Sequence, residues 1–248
     1  KRFVASFPVD ITRPVQYGPQ LKAHAVYMSQ YQLLPYNRIE EYFRDQLEIP
    51  ISAGSLFNFN MKASDLLKEL KVGDSIKSEL KNSARIHADE TGININKERH
   101  WLHCQSDDHW TYMYPHKDRG TTAMDFGGII PLYTVILCHD HWKPYYTYNQ
   151  CFHSLCNAHH LRELDFSFEK EGQKWAKEIS ELLIKANVQV NEEGGKLQNE
   201  SQKVYLEKYR EILSNAETEC PPPDESKRLP KQRGRLKRSK SRNLLERL

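Results

Sequence analysis

Arg85-Ile86-His87-Ala88-Asp89 and Thr134-Val135-Ile136-Leu137-Cys138-His139-Asp140 are the two stretches that decide how this chain of 248 residues folds. Each is a short run of strand-forming character that leads into an aspartate. The second, with its β-branched and apolar side chains, has the texture of a buried strand. If the two strands are parallel neighbours, both carboxylates emerge at one edge of a sheet. Two carboxylates placed there can hold hard divalent cations through oxygen, and paired cations suit in-line displacement at phosphorus. An aspartate after a strand is equally a common turn or cap residue, so spacing alone leaves both readings open.

Working outward, the region between these runs reads as further strands. His100 to Gln105 and Trp110 to Tyr114 flank a polar Ser106-Asp107-Asp108 turn, and Asn94, Asn96 and Lys97 form a polar turn before them. Together with the Arg85 run they make an antiparallel meander. A short helix over residues 120–126 follows, then the Thr134 strand. Strand, strand, strand, helix, strand is the order in which an RNase H-like core begins.

Upstream, apolar residues recur at helical spacing from Pro19 to Pro35, over residues 38–47, and from an N-cap at Ser52 through Leu70. Another amphipathic stretch after Gly73 ends near Asn82. Three helices on short turns fit a helix-turn-helix DNA reader or a helical subdomain. The absence of a basic recognition face favours the subdomain. Downstream, helices are expected over 154–166, 173–190 (Trp175, Ile179, Leu182, Leu183, Ala186, Val190 on one stripe) and 197–213. Cys220-Pro221-Pro222-Pro223 ends this region, and a new helical pattern begins at Arg242.

The fold expected is therefore α/β: an RNase H-like mixed sheet of three antiparallel strands plus a parallel strand, with an N-terminal helical subdomain and a helical insertion. The divisions expected are a helical subdomain over 1–82, the first part of the core over 83–170, and the insertion over 171–218. A Pro-rich then basic linker over 219–242 and the start of a helix over 243–248 complete the chain.

The net charge of +3 conceals an asymmetry. From Lys227 to Arg247 ten Lys or Arg stand against Glu246 alone, +9 in all, so the remainder carries −6. Such a segment is commonly a solvated linker and otherwise suits a polyanionic partner. Its candidate DNA-binding residues are Lys227, Arg228, Lys231, Arg233, Arg235, Lys237, Arg238, Lys240 and Arg242. No apolar run is long enough to span a bilayer. Five cysteines without a secretion signal predict reduced thiols in a cytoplasm. Lys1-Arg2-Phe3 is not a natural start and predicts that residues precede it.

Several blocks, in order, resemble the insertion sequence sixty-six family of bacterial transposases. They are Pro14-Val15-Gln16-Tyr17-Gly18-Pro19, His87-Ala88-Asp89-Glu90-Thr91-Gly92, His100-Trp101-Leu102-His103 and Lys117-Asp118-Arg119-Gly120. His139-Asp140-His141-Trp142-Lys143-Pro144-Tyr145 and Leu155-Cys156-Asn157-Ala158-His159-His160-Leu161-Arg162-Glu163-Leu164 continue the match. The resemblance implies a DDE-type, RNase H-like transposase using Mg²⁺ or Mn²⁺, with Asp89 and Asp140 as its first two carboxylates. It implies DNA partners (element ends and target), a homo-oligomer on DNA, accessory proteins of the same element, and a nucleoid-associated location. The family's third carboxylate is a glutamate in an Asn-rich motif beyond the basic linker, and this sequence ends before one. The resemblance thus leaves a second possibility, a catalytically inactive DNA-binding remnant.

Glu163 is the nearest substitute for that carboxylate, although a helix-surface or Arg-paired role is the favoured reading. Trp142, Tyr145 and Tyr146 are suited either to stacking on unpaired bases or to packing at a core edge. The Cys138, His139, His141, Cys151, His153, Cys156, His159, His160 cluster has some ligand-like spacings. Adjacent His159 and His160 on one helix argue against a structural zinc at Cys151/Cys156/His159, and buried thiols with bonded imidazoles are expected instead.

Overall fold

The computed structural model describes residues 16–224, 226, 234 and 236–248. They divide into two units, one comprising the described residues up to Asn82 with Asp108–Tyr112, the other Ser83–Asp107 with Met113–Leu248.

The first unit is built from α1 (Pro19–Val26), α2 (Tyr36–Leu47), α3 (Ala53–Glu69) and α4 (Val72–Asn82). The chain enters α1 through Pro19 in the first turn, where a missing N–H costs nothing. Helical winding continues past α1 as a π-helical turn, Tyr27–Tyr31, before Pro35. Ser52 caps α3 by accepting from the Ser55 N–H, as its position before the apolar run predicts. Ala25, Met28, Ile39, Phe43, Leu56 and Phe59 interlock as the core.

The second unit holds a mixed sheet of order β3-β2-β1-β4-β5. Its strands are β1 (Arg85–Ile95), β2 (Glu98–Ser106), β3 (Thr111–His116), β4 (Ile136–His139) and β5 (Phe152–Leu155). β1 runs antiparallel to β2 and parallel to β4, and β5 is parallel to β4. Two features differ from the sequence expectation. First, β1 does not stop at Asp89. It continues to Ile95, and Asn96 and Lys97, both left-handed (φ 52° and 69°), turn the chain tightly into β2. Gly92 lies within the strand, where the Arg99 side chain occupies the space a Cβ would need. Second, Phe152–Leu155 forms the edge strand β5 and the next helix starts later, at Asn157. Phe152 is 75% exposed and the strand is short, so no alternation marks it.

Between β3 and β4 lies α5 (Thr121–Gly127). Its C-terminal Gly127 passes so close to the Tyr114 ring that a Cβ has no room. After β5 come α6 (Asn157–Glu171), α7 (Lys174–Glu192), α8 (Asn199–Glu219) and α9 (Lys240–Leu245). Leu164, Trp175, Ala176, Ile179, Ile212, Ala216, Leu244 and Leu245 bring all four into one helical core. α9 begins three residues before the expected 243, because the Ser239 hydroxyl caps it and Glu171 accepts the Lys240 and Ser241 N–H groups.

Candidate active site

The three registered pairs of β1 and β4 are Arg85↔Ile136, Ile86↔Leu137 and His87↔Cys138. Asp89 and Asp140 each follow the last of these pairs by two residues. Asp140 follows the end of β4, whereas Asp89 is inside β1, paired with Cys104 of β2.

The two carboxylates are held alike. Asp89 Oδ1 accepts the Glu90 N–H at 2.9 Å, and Asp140 Oδ1 accepts the Trp142 N–H at 2.9 Å. In each, Oδ2 is left facing a cationic or potentially cationic group beyond hydrogen-bond distance. His159 Nε2 is 3.8 Å from Asp89, and Arg119 Nη2 is 4.0 Å from Asp140. Asp89 is the more open, its side chain 59% exposed against 24% for Asp140.

Behind this edge lies a buried polar network. Alternation along β1 buries Ile86, Ala88 and Glu90 on one face. The Glu90 side chain is wholly buried, its Oε1 accepting from Arg119 Nε at 2.7 Å and its Oε2 from the Tyr145 hydroxyl at 2.6 Å. Burial pushes its pKa above the ordinary carboxylate value, against the pull of these two donors. Burial, reinforced by the Glu90 charge, likewise raises the Tyr145 phenol. His139 stacks on Tyr145 at 4.5 Å and donates from Nδ1 to the Asp140 carbonyl, so that its Nε2 accepts from His153 at 2.9 Å. Burial lowers the His139 pKa by disfavouring the charged ring.

A cleft of about 940 Å³ opens beside Asp140. Arg119, Trp142, His159, Glu163 and Arg247 line it with Asp140. Glu163 shares the cleft but accepts from Arg247 Nη2 at 2.8 Å. Trp142 covers the Arg119 guanidinium at 4.1 Å. Tyr145, by contrast, is 1% exposed, so its ring is closed to a nucleobase; the core and Glu90 take both its face and its hydroxyl. Tyr146 donates to, or accepts from, His141 Nδ1 at 2.8 Å.

Of the candidate DNA-binding residues, Lys227, Arg228, Lys231, Arg233 and Arg235 lie outside the described residues. Lys237 is exposed, and Lys240 sits over the Phe166 ring at 4.4 Å. Arg238 pairs with Glu246. Arg242 is buried and bound to Glu217 at 2.6 Å, to Glu246 at 3.0 Å and to the Cys220 carbonyl at 2.9 Å, which takes it away from any ligand. All five cysteines are free thiols. Cys151 donates to the Tyr148 carbonyl at 3.4 Å. Among the described residues no group of three or more His, Cys, Asp or Glu is disposed to hold a metal ion, and no helix is long and apolar enough to cross a membrane.

Two participants escape a reading of the sequence. Glu90 is overlooked beside Asp89, although a charged residue at a core-facing position of a strand needs a buried partner. Arg119 is that partner, and nothing local to Lys117-Asp118-Arg119-Gly120 reveals it.

The family model described as Transposase IS66 family matches residues 14–246 of the chain. No curated protein matches it.

Proposed function

The chain belongs to the IS66 family of transposases, and from that premise we propose that Asp89 and Asp140 form two corners of a DDE-type site for cutting and joining DNA. The observation that carries this reading is the register of β1 and β4, parallel neighbours whose last pair, His87↔Cys138, stands two residues before each aspartate. The sheet order β3-β2-β1-β4-β5, with β4 and β5 parallel to β1, supports an RNase H-like core over 83–170. Residues 171–218 are then its helical insertion.

The donor set fits a hard divalent cation such as Mg²⁺ or Mn²⁺: carboxylate oxygens, each with one oxygen fixed by a main-chain N–H and the other unbonded. When bound, such ions activate the attacking hydroxyl and offset charge on the leaving oxygen. The chain's own part is to aim the carboxylates, which the Glu90 and Trp142 amides do, and to stiffen the strand behind them through Glu90 and Tyr145. Water in the nicking step, or the freed 3′ hydroxyl in the joining step, is the nucleophile, so no side chain is attacked or modified. DNA is the partner throughout, gripped by the basic segment and acted on by a homo-oligomer.

One observation favours the competing reading, a DNA-binding protein without chemistry: Glu163, which lines the same cleft as Asp140, is held by Arg247. The two readings separate in a nicking assay with Mg²⁺ or Mn²⁺ on a plasmid carrying the element's own ends. Wild-type activity lowered about 100- to 1000-fold by either Asp89→Asn or Asp140→Asn supports the DDE site. Nicking that survives both substitutions sinks it.

A further inference from the structure

We propose that Arg119 is a phosphate-binding residue of the cleft, pre-aligned to grip a DNA phosphodiester beside Asp140. The identity of the ligand as DNA rests on the transposase reading, whereas the anion-binding geometry does not.

Three contacts restrain this guanidinium. Its Nε is bonded at 2.7 Å to Glu90, whose side chain has no exposure to solvent. Two indole rings lie against it, Trp142 at 4.1 Å and Trp101 at 4.9 Å. Trp101 also carries Arg99 at 4.7 Å. With Nε tied and two rings packed against the plane, its rotation is restricted, and so is the direction of the terminal nitrogens.

Those terminal nitrogens make no hydrogen bond among the described residues. Nη2 comes no nearer than 4.0 Å to Asp140 Oδ2, too far for a hydrogen bond. The side chain is 34% exposed and lines the cleft. An arginine present only to neutralise Glu90 would meet that carboxylate with its fork and be buried with it. Here the fork is turned away, and only the side-on nitrogen serves Glu90.

A planar, rigid pair of donors matches two oxygens of a phosphate and forms charge-assisted bonds with them. Because the plane is already restrained, less side-chain freedom remains to be lost on binding. The surroundings choose the sign of the ligand: Lys143, Arg162 and Lys240 share the cleft, against Asp140, Glu163 and Glu246, and each of these two glutamates already faces an arginine. A phosphodiester seated on Arg119 therefore lies next to the Asp140 carboxylate.

The test is binding in a metal-free, EDTA-containing buffer, read by anisotropy of a labelled 20-mer of thymidine over a series of NaCl concentrations. Arg119→Gln is expected to weaken binding roughly fivefold near 0.1 M salt and to make the log–log salt slope shallower by about 0.7, as one phosphate is no longer neutralised. Arg119→Lys should restore the slope but not the full affinity, since lysine keeps the charge and loses the planar fork. Unchanged affinity, or weakened affinity with an unchanged slope, overturns the proposal, because a purely structural role would not remove a counterion. Should Arg119→Gln fail to fold, inorganic pyrophosphate added to the wild-type protein decides. A saturable change in emission that is missing in Trp142→Phe upholds the site, and no saturable change rejects it. Arg119-dependent binding alongside nicking indifferent to Asp89→Asn would overturn the transposase mechanism and leave this site standing.

Discussion

Arg247, beyond the end of α9, donates to Glu163 of α6 at 2.8 Å across the cleft that holds Asp140. The pair is partly exposed, with side-chain exposures of 28% and 44%, so it contributes only about 0–1 kcal/mol to stability. Glu163→Gln is therefore expected to leave nicking within about fivefold of wild type, where losing a group that stabilises the transition state costs about 100-fold or more. Plasmid nicking measures this. Abolished nicking in a folded Glu163→Gln protein would make Glu163 the third carboxylate.

Tyr145 and Glu90 share a buried hydrogen bond at 2.6 Å. Tyr145→Phe removes the hydroxyl and leaves a carboxylate oxygen without its donor, at a cost of about 1.5–3 kcal/mol. Urea unfolding should show an earlier midpoint at an unchanged slope. A shift below about 0.5 kcal/mol would mean that water takes the place of the phenol.

His103 is 1% exposed, stacked on Tyr114 at 5.1 Å and bonded through Nε2 to the Asp118 carbonyl at 3.2 Å. Burial lowers its pKa from the ordinary 6.5. The unfolded chain then takes up the proton first, and stability is lost as pH falls below 6.5 toward the lowered folded value. Relative to His103→Gln, the wild-type protein should lose thermal stability between pH 7 and 5. Parallel curves for the two proteins across that range would contradict this account.

Arg242 ties α9 to α8 through Glu217 while also bonding Glu246. Its side chain is 10% exposed, whereas Glu217 is 54% exposed. Removing one partner of a buried pair costs about 3–5 kcal/mol, and the exposure of Glu217 sets this case at or below the lower end. Arg242→Met should speed amide exchange in residues 240–245 before the sheet is affected. Uniform acceleration across β1 and α9 together would show that α9 is no separate element.

Affinity for DNA should depend on the basic residues 227–235. Replacing Lys227, Arg228, Lys231, Arg233 and Arg235 with Gln is expected to flatten the salt dependence on duplex DNA by about 0.9 for each phosphate that is no longer neutralised. An unchanged slope would assign DNA binding elsewhere.

The helical parts of this fold are legible because each leaves a local mark: Ser52 before an apolar run, the stripe from Trp175 to Val190, the prolines at 221–223. β4 is equally plain from its composition. β1 is legible only in its first half. Asp89 reads as the end of the run, and what carries the strand on through Glu90 and Gly92 is the pairing with β2, which is not local. β5 has no periodic signal and exists because Val135 and β4 offer it partners. The site divides in the same way. Asp89 and Asp140 are visible as aspartates attached to strand-like runs, but Glu90, Arg119 and the burial of Tyr145 depend on residues far apart in the chain.

The bond from Arg242 to the Cys220 carbonyl ties α9 to the residue that ends α8 through a main-chain oxygen, beside the side-chain bond to Glu217. A carbonyl does not titrate, so this half of the clamp persists at a pH where Glu217 is protonated. The start of α9 is thereby held where Arg238 and Lys240 line the cleft.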